Sequence, residues 1–393
     1  MTRYFWFALS CFLLPSTALA DDAYPHPVEH PESPLMLSGD WVPDDPATID
    51  FEKLPRILSA HVVVTDVRAA DGVTQHNYLA FYAGRFWLMW SDGPGMEDRV
   101  GQRVKYSTSP DGLAWSAGEF LTPEPPGSGP DSPHYGTRTD AGLRWISRGF
   151  WQRDGELYAL ATLDEAGGFF GPSLALHAFQ LQTDGRSWVD IGVIADDTIN
   201  NFPPERLPNG DWMMSRRPHN YKDAGCSFLV GGTQAIDAWE SFPVFGTSGE
   251  LAAEEPQWWT LPDGNLMALF RDNRKSKRLY RSFSSDSGRT WSTPVKTNFP
   301  DATSKCFGLR LTDGTYALIS NCNPEKRDPL TIALSGDGLV FDRLFWLFGG
   351  RRVDYPHALE HDGDLFVAFN GHKQSIEVVK VRLSELKALA NGE

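Results

Sequence analysis

Ser284-Ser285-Asp286-Ser287-Gly288-Arg289-Thr290-Trp291 is the stretch on which the fold turns. It reads S-x-D-x-G-x-T-W, and each fixed position has a local task. The aspartate caps backbone N–H groups inside a turn, the glycine takes a positive φ, and the tryptophan packs down between sheets. Shorter copies stand at Ser109-Pro110-Asp111-Gly112-Leu113-Ala114-Trp115 and Ser335-Gly336-Asp337-Gly338-Leu339-Val340-Phe341, and a more degenerate one at Thr183-Asp184-Gly185-Arg186-Ser187-Trp188. These motifs mark architecture and carry no chemistry.

Working outward, each copy follows a hairpin signal. Two-residue turns are expected at Ala83-Gly84, Asp154-Gly155, Asn209-Gly210, Asp263-Gly264, Asp313-Gly314 and Asp362-Gly363, flanked by apolar, β-rich runs such as Phe86-Trp87-Leu88-Met89-Trp90. From Gly155 to Gly363 they recur about every 50 residues. Two hairpins per repeat make a four-stranded antiparallel sheet, and sheets repeated radially make a β-propeller. The expected fold is all-β, a six-bladed propeller. A seventh blade within Leu121 to Trp145 is the alternative, although Thr122-Pro123-Glu124-Pro125-Pro126-Gly127 reads as loop. The last repeat is one strand short. Ile57 to Asp66 is a spare strand ahead of the first repeat, placed to close the ring.

The N-terminus has a signal-peptide pattern over residues 1–20: Arg3, an apolar run from Phe5 to Leu14, and Ala18-Leu19-Ala20 as the cleavage site. Residues 21–56 read as an N-terminal extension and 57–393 as the propeller. The expected location is secreted or periplasmic, without a membrane anchor after cleavage. The net charge of −15 argues against a nucleic-acid partner, and an anionic ligand would need a local arginine cluster. With 14 Trp, 24 Phe and 11 Tyr, the aromatic content suits both a β core and sugar stacking. No zinc-ligand spacing is present, so no metal or other cofactor is expected, and a monomer is expected. Cys226, Cys306 and Cys322 remain after the signal. Cys306 and Cys322 flank the Asp313-Gly314 turn almost symmetrically, so a cross-strand disulfide with Cys226 free is expected.

The S-x-D-x-G-x-T-W boxes and the hairpin motifs together resemble the sialidase superfamily, over nearly all of the chain after about residue 75. Its Asp-boxes, also called BNR repeats, are the turns quoted above. Glu255-Pro256-Gln257-Trp258-Trp259 is similar to the family's strand bearing the glutamate that assists the nucleophile. The resemblance places the second and third arginines of a carboxylate-binding triad at Arg271 and Arg327. It implies Tyr355, in Asp354-Tyr355-Pro356-His357, as nucleophile and Asp98, in Gly95-Met96-Glu97-Asp98-Arg99, as acid/base. The chain departs from the family in its first blade. Where sialidases carry Arg-Ile-Pro, this strand reads Gln75-His76-Asn77-Tyr78, with His76 in place of the first arginine. That change is similar to propeller polysaccharide lyases and rhamnosidase-like enzymes with a central histidine.

Inner strands of a propeller meet at its axis, so His76, Arg148, Glu205, Glu255, Cys306 to Arg310 and Tyr355, all near strand starts, are expected to line a central pocket. Arg217, in the Arg216-Arg217-Pro218-His219 loop, joins Arg148 and Glu205 as a candidate substrate-binding residue. For each of these residues an ordinary structural salt bridge or hydrogen bond is the competing reading. The resemblance implies a glycosidase acting on an acidic oligo- or polysaccharide, as a sialidase-like exo-hydrolase. A uronate lyase using His76 and a non-catalytic glycan-binding propeller are the alternatives.

Overall fold

The computed structural model describes residues 33–245 and 251–391; the expected signal peptide lies outside them. Six four-stranded sheets are present, each with antiparallel neighbours. The blades occupy residues 72–120, 139–196, 205–245, 253–300, 307–348 and 353–382. The first strands of neighbouring blades pack on one another around the axis, as Gly72–Tyr82 does with Thr139–Arg153 and Val353–His361. Residues 121–138 contain no strand, which excludes a seventh blade.

The sixth blade is completed by the strand Ser59–Asp66, which pairs with Ser375–Arg382 through Ser59–Val381, Val62–Val378 and Asp66–Ser375. The ring is therefore closed by hydrogen bonds between the two ends of the fold. Residues ahead of this strand run along the fifth blade. Leu37 bridges Phe341 and Arg56 bridges Trp346. The Asn298 side-chain oxygen accepts from the N–H groups of Met36 and Leu37, both at 2.8 Å, and both residues are buried. A helix, Leu383–Asn391, follows the last strand and buries Leu383 and Leu386.

The boxes have the local chemistry that their sequence implies. In the complete copy, Asp286 accepts from the N–H of Thr290 at 2.8 Å and from its hydroxyl at 2.7 Å. Trp291 stacks on Phe228 of the preceding blade, with centroids 4.6 Å apart. Asp111 and Asp337 cap their own turns in the same way.

Two expectations need correction. Only three of the six hairpins have the expected two-residue turn with both residues at positive φ: Ala83-Gly84, Asp154-Gly155 and Asp362-Gly363. In the third, fourth and fifth blades only the glycine has positive φ. These turns are wider and closed by Leu207–Asp211, Leu261–Asn265 and Leu311–Thr315 backbone bonds. The disulfide is also absent: Cys226, Cys306 and Cys322 are free and buried. Register is the reason: the cysteines are one place off even for a two-residue turn, and the wider turn adds a second. The hairpin pairs Phe307 with Ile319, so Ser320, not Cys322, falls opposite Cys306. The Cys322 sulfur sits instead 3.1 Å from the Thr331 hydroxyl.

Candidate active site

Three inner strands share one irregularity. Their pairing slips between Gln75 and Tyr78, between Glu254 and Gln257, and between Asp354 and His357. The residues at these slips, His76, Glu255 and Tyr355, are held at φ 52°, 49° and 56°. A bulge re-aims a side chain that a regular strand would bury in the sheet. Left-handed backbone at non-glycine residues costs about 1–3 kcal/mol each and gathers at functional sites. In the second blade the slip between Ser147 and Gly149 leaves Arg148 as the extra residue.

These side chains meet. The His76 and Tyr355 rings stack with centroids 4.8 Å apart and 20° between planes. Glu255 forms an ion pair with Arg271, which also reaches Glu254 at 3.4 Å. Glu254 accepts from the Tyr221 hydroxyl at 2.6 Å and from Asn273 at 2.8 Å, and lies 3.6 Å from Arg217. Arg217 donates to the Asn201 side chain at 3.0 Å. Arg327 is paired with Asp354 and donates to the Thr303 carbonyl at 2.5 Å. Arg148 donates to Thr162 at 3.1 Å, and among the described residues no carboxylate lies within ion-pair distance of it.

These groups act on one another's charge. Burial drives the His76 imidazole well below its ordinary value, and Arg148, Lys305, Lys373 and Arg217 push it further. His76 is therefore neutral near pH 7. Burial by itself would raise the Glu255 carboxyl, but Arg271, with Arg217, Lys305 and Arg327 behind it, holds it at about 2. Burial raises the Tyr355 phenol, as do Glu255 and Glu97, against Lys373 and Arg271. Tyr355 is thus a neutral phenol, and its hydroxyl makes no hydrogen bond to Glu255 among the described residues.

His76, Arg148, Arg217, Glu255, Arg271, Arg327 and Tyr355 are brought together. Two other expected residues are not. Asp98 lies in ion pairs with Arg144 and with Arg138, the latter at 3.1 Å. Glu205 pairs with Met213 on its short strand. Burial pushes its carboxyl up to about 7, with no cation contributing.

The sequence reading overlooked four residues. Lys305 donates to the Tyr78 hydroxyl at 3.0 Å and the Asn201 carbonyl at 2.8 Å, between the rings of Phe202 and Tyr78. Burial pushes its amine down to about 7, with Glu255 opposing and Arg148 and Arg217 adding. Glu254 is the adjacent carboxylate to Glu255. Glu97 and Lys373 form an ion pair, and the Lys373 amine lies 5.2 Å from the centre of the Tyr355 ring. One signal was present: Pro256 and Pro356 follow Glu255 and Tyr355. A proline in an inner strand is tolerated at a bulge, so it marks the irregularity. Among the described residues, no group of three or more His, Cys, Asp or Glu side chains is placed to hold a metal ion. No helix among them is long and apolar enough to cross a membrane.

Residues 149–367 match a family model described as a BNR repeat-like domain. No curated protein matches the chain. Among solved structures, a sialidase is 19% identical, covers 88% of this chain and 35% of its own, and superimposes with a TM-score of 0.60. A protein of unknown function from Dyadobacter fermentans is 15% identical over 83% of this chain and 99% of its own, with a TM-score of 0.63. The leech intramolecular trans-sialidase, solved with 2,7-anhydro-Neu5Ac, is 12% identical over 84% of this chain and 71% of its own, with a TM-score of 0.64. The chain spans about a third of the length of the first of these. At these identities the likeness is one of fold.

Proposed function

The chain belongs to the BNR repeat-like domain family, and from that premise we propose that it is a carbohydrate-active enzyme that cleaves glycosidic bonds in carboxylated glycans, as a sialidase-like exo-hydrolase. The observation that carries this reading is the set of three strained bulges, which present His76, Glu255 and Tyr355 to one space beside Arg271 and Arg327.

Guanidinium forks suit a carboxylate because they donate two parallel hydrogen bonds. Arg271 is bound to Glu255 and Glu254 in the free protein. A substrate carboxylate that draws Arg271 toward itself weakens the pairing that holds Glu255 down. Glu255 then becomes a stronger base, able to take the Tyr355 proton as the phenol attacks the anomeric carbon. Water, giving a proton back to the acid that protonated the leaving oxygen, then displaces the tyrosine, which regains its proton from Glu255. A neutral phenol is a reasonable nucleophile here, because a carboxylate would be repelled by an anionic sugar. The leaving oxygen needs a proton. Asp98 is held by two arginines and Glu97 by Lys373, so whichever carboxyl supplies that proton must first be released from its cation and protonated.

The second reading is a uronate lyase, favoured by one observation: His76 stands on a strained bulge and is stacked on Tyr355. A neutral imidazole can remove the proton next to a uronate carboxylate whose charge the arginines offset. Incubation with a panel of acidic glycans separates the readings. A hydrolase yields reducing ends alone, a lyase also yields the near-ultraviolet absorbance of an unsaturated uronate, and a binding protein yields neither. Tyr355→Phe is expected to reduce hydrolysis on the order of a thousandfold or more while sparing binding. Arg327→Ala is expected to weaken a carboxylated ligand by about 1.5–3 kcal/mol relative to its neutral analogue. His76→Ala should abolish the chemical step of a lyase but mainly affect affinity in a hydrolase. Full activity in all three variants would remove the catalytic work from this site.

A further inference from the structure

Two hollows flank the sixth blade's inner strand, and they meet at one residue. One, of about 400 Å³, is lined by Glu97, His372, Lys373 and Arg352. The other, of about 480 Å³, is lined by Lys326, Arg327 and Arg352. Both volumes fall in the range of small-molecule sites. Each hollow borders the site already described: Lys373 lies over the Tyr355 ring, and Arg327 is one arm of the carboxylate clamp. Arg352, three residues before Tyr355 in the chain, lines both hollows.

Arg352 is set for recognition. Its Nε and Nη2 donate to the buried carboxylate of Asp354 at 2.7 and 3.2 Å, which fixes the plane of the guanidinium. Its side chain is still 47% exposed. Asp354 braces Arg327 as well, so one buried carboxylate holds both arginines in a fixed relation. A held fork loses little entropy when it takes up a ligand. Lys326, Arg327, Lys373 and His372 border the same hollows, and so do Asp71, Glu97, Glu325 and Asp328. Lys373 is paired with Glu97 and Lys326 with Asp328, which leaves Arg352 as the half-exposed fork between the two hollows.

We propose that Arg352 is the centre of a second subsite, which holds an anionic group on the sugar unit next to the one at Tyr355. The preferred substrate is then an acidic chain and not an isolated terminal sugar. This rests on the reading of the central pocket as a glycan site. The recognised chemistry is a carboxylate or a sulfate ester.

The test is calorimetric binding, in the Tyr355→Phe background so that ligands persist. The probes are oligosialate, oligogalacturonate and oligoglucuronate, a neutral oligosaccharide bearing one sulfate ester, and the corresponding single sugars. At least one acidic oligomer should bind about tenfold or more tightly than its own monomer. Arg352→Ala should erase that advantage, and Arg352→Lys should restore part of it. The carboxylate and sulfate probes tell the two sources apart. If no oligomer exceeds its monomer, or if the advantage survives Arg352→Ala, the subsite does not exist. If Arg352→Ala weakens monomer and oligomer equally, the residue only braces Arg327 through Asp354, and the proposal falls. Cleavage assays on the parent chain are scored separately, so a binding subsite without turnover would overturn the enzymatic reading and leave this one standing.

Discussion

Lys305 is a residue whose chemistry is strongly altered by its environment. Its amine is buried between two aromatic faces and its ordinary value of 10.5 falls to about 7. An unfolded chain would bind that proton up to about pH 10.5, so between these values the unfolded state holds more protons than the folded one. Stability therefore rises with pH across that window, and below it the penalty for burying the charge is constant. Comparison with Lys305→Met isolates the effect. Urea midpoints at about pH 6 and about pH 9 should show the wild type gaining on the variant, by at most about 1.4 kcal/mol per pH unit within the window. A pH-independent gap would mean that the amine titrates normally. Nearby Arg148, lowered to about 10 by burial and Arg217, belongs to the same cationic floor, which keeps His76 neutral.

The turn motifs govern the behaviour of whole blades. Gly288 has φ 82°, and a Cβ there would lie 2.4 Å from the sulfur of Met213, a fully buried residue of the third blade. Gly264, at φ 89°, has open space around it. Gly264→Ala is thus expected to cost only the backbone strain, about 1 kcal/mol. Gly288→Ala adds overpacking at a blade interface and should cost at least about 2 kcal/mol. Equilibrium denaturation of the two variants decides the point, and a reversed order would show that Met213 yields without cost. The bulges act at the same scale. Each takes one or two residues out of the ladder and turns a strand into a mount for a functional side chain.

At the scale of the whole molecule, closure of the ring depends on the Ser59–Asp66 strand. Without it, Ser375–Arg382 becomes an open edge with unpaired backbone groups. Removal of residues through Asp66 also withdraws the buried Met36 and Leu37 from the fifth blade. Such a truncation is expected to lower the melting temperature by on the order of 10 °C or to leave the chain aggregated. Thermal melting within a degree or two of the full chain would show that the six blades hold together without the clasp. The clasp also bears on the site, since the strand carrying Tyr355 belongs to the blade that it completes.

By itself the sequence determined what short-range chemistry encodes. Asp286, Gly288 and Trp291 specify a turn within eight residues, the six recurring hairpin signals set the number of blades, and the unpaired run before Asp66 implied the clasp. Convergence of Tyr355, Glu255 and Arg327 was legible through family resemblance and through the position of inner strands. The tertiary structure decided whatever depends on register between strands or on groups far apart in the chain. A turn wider by one residue set Ser320 opposite Cys306, two places short of Cys322. The pairing of Asp98 with Arg144 and Arg138, the burial of Lys305 against Tyr78 and Phe202, and the brace from Asp354 to Arg327 each join segments whose approach no local motif specifies. Charge pairing in a pocket is a property of distances, and distances at the axis arise only when all six blades are in place.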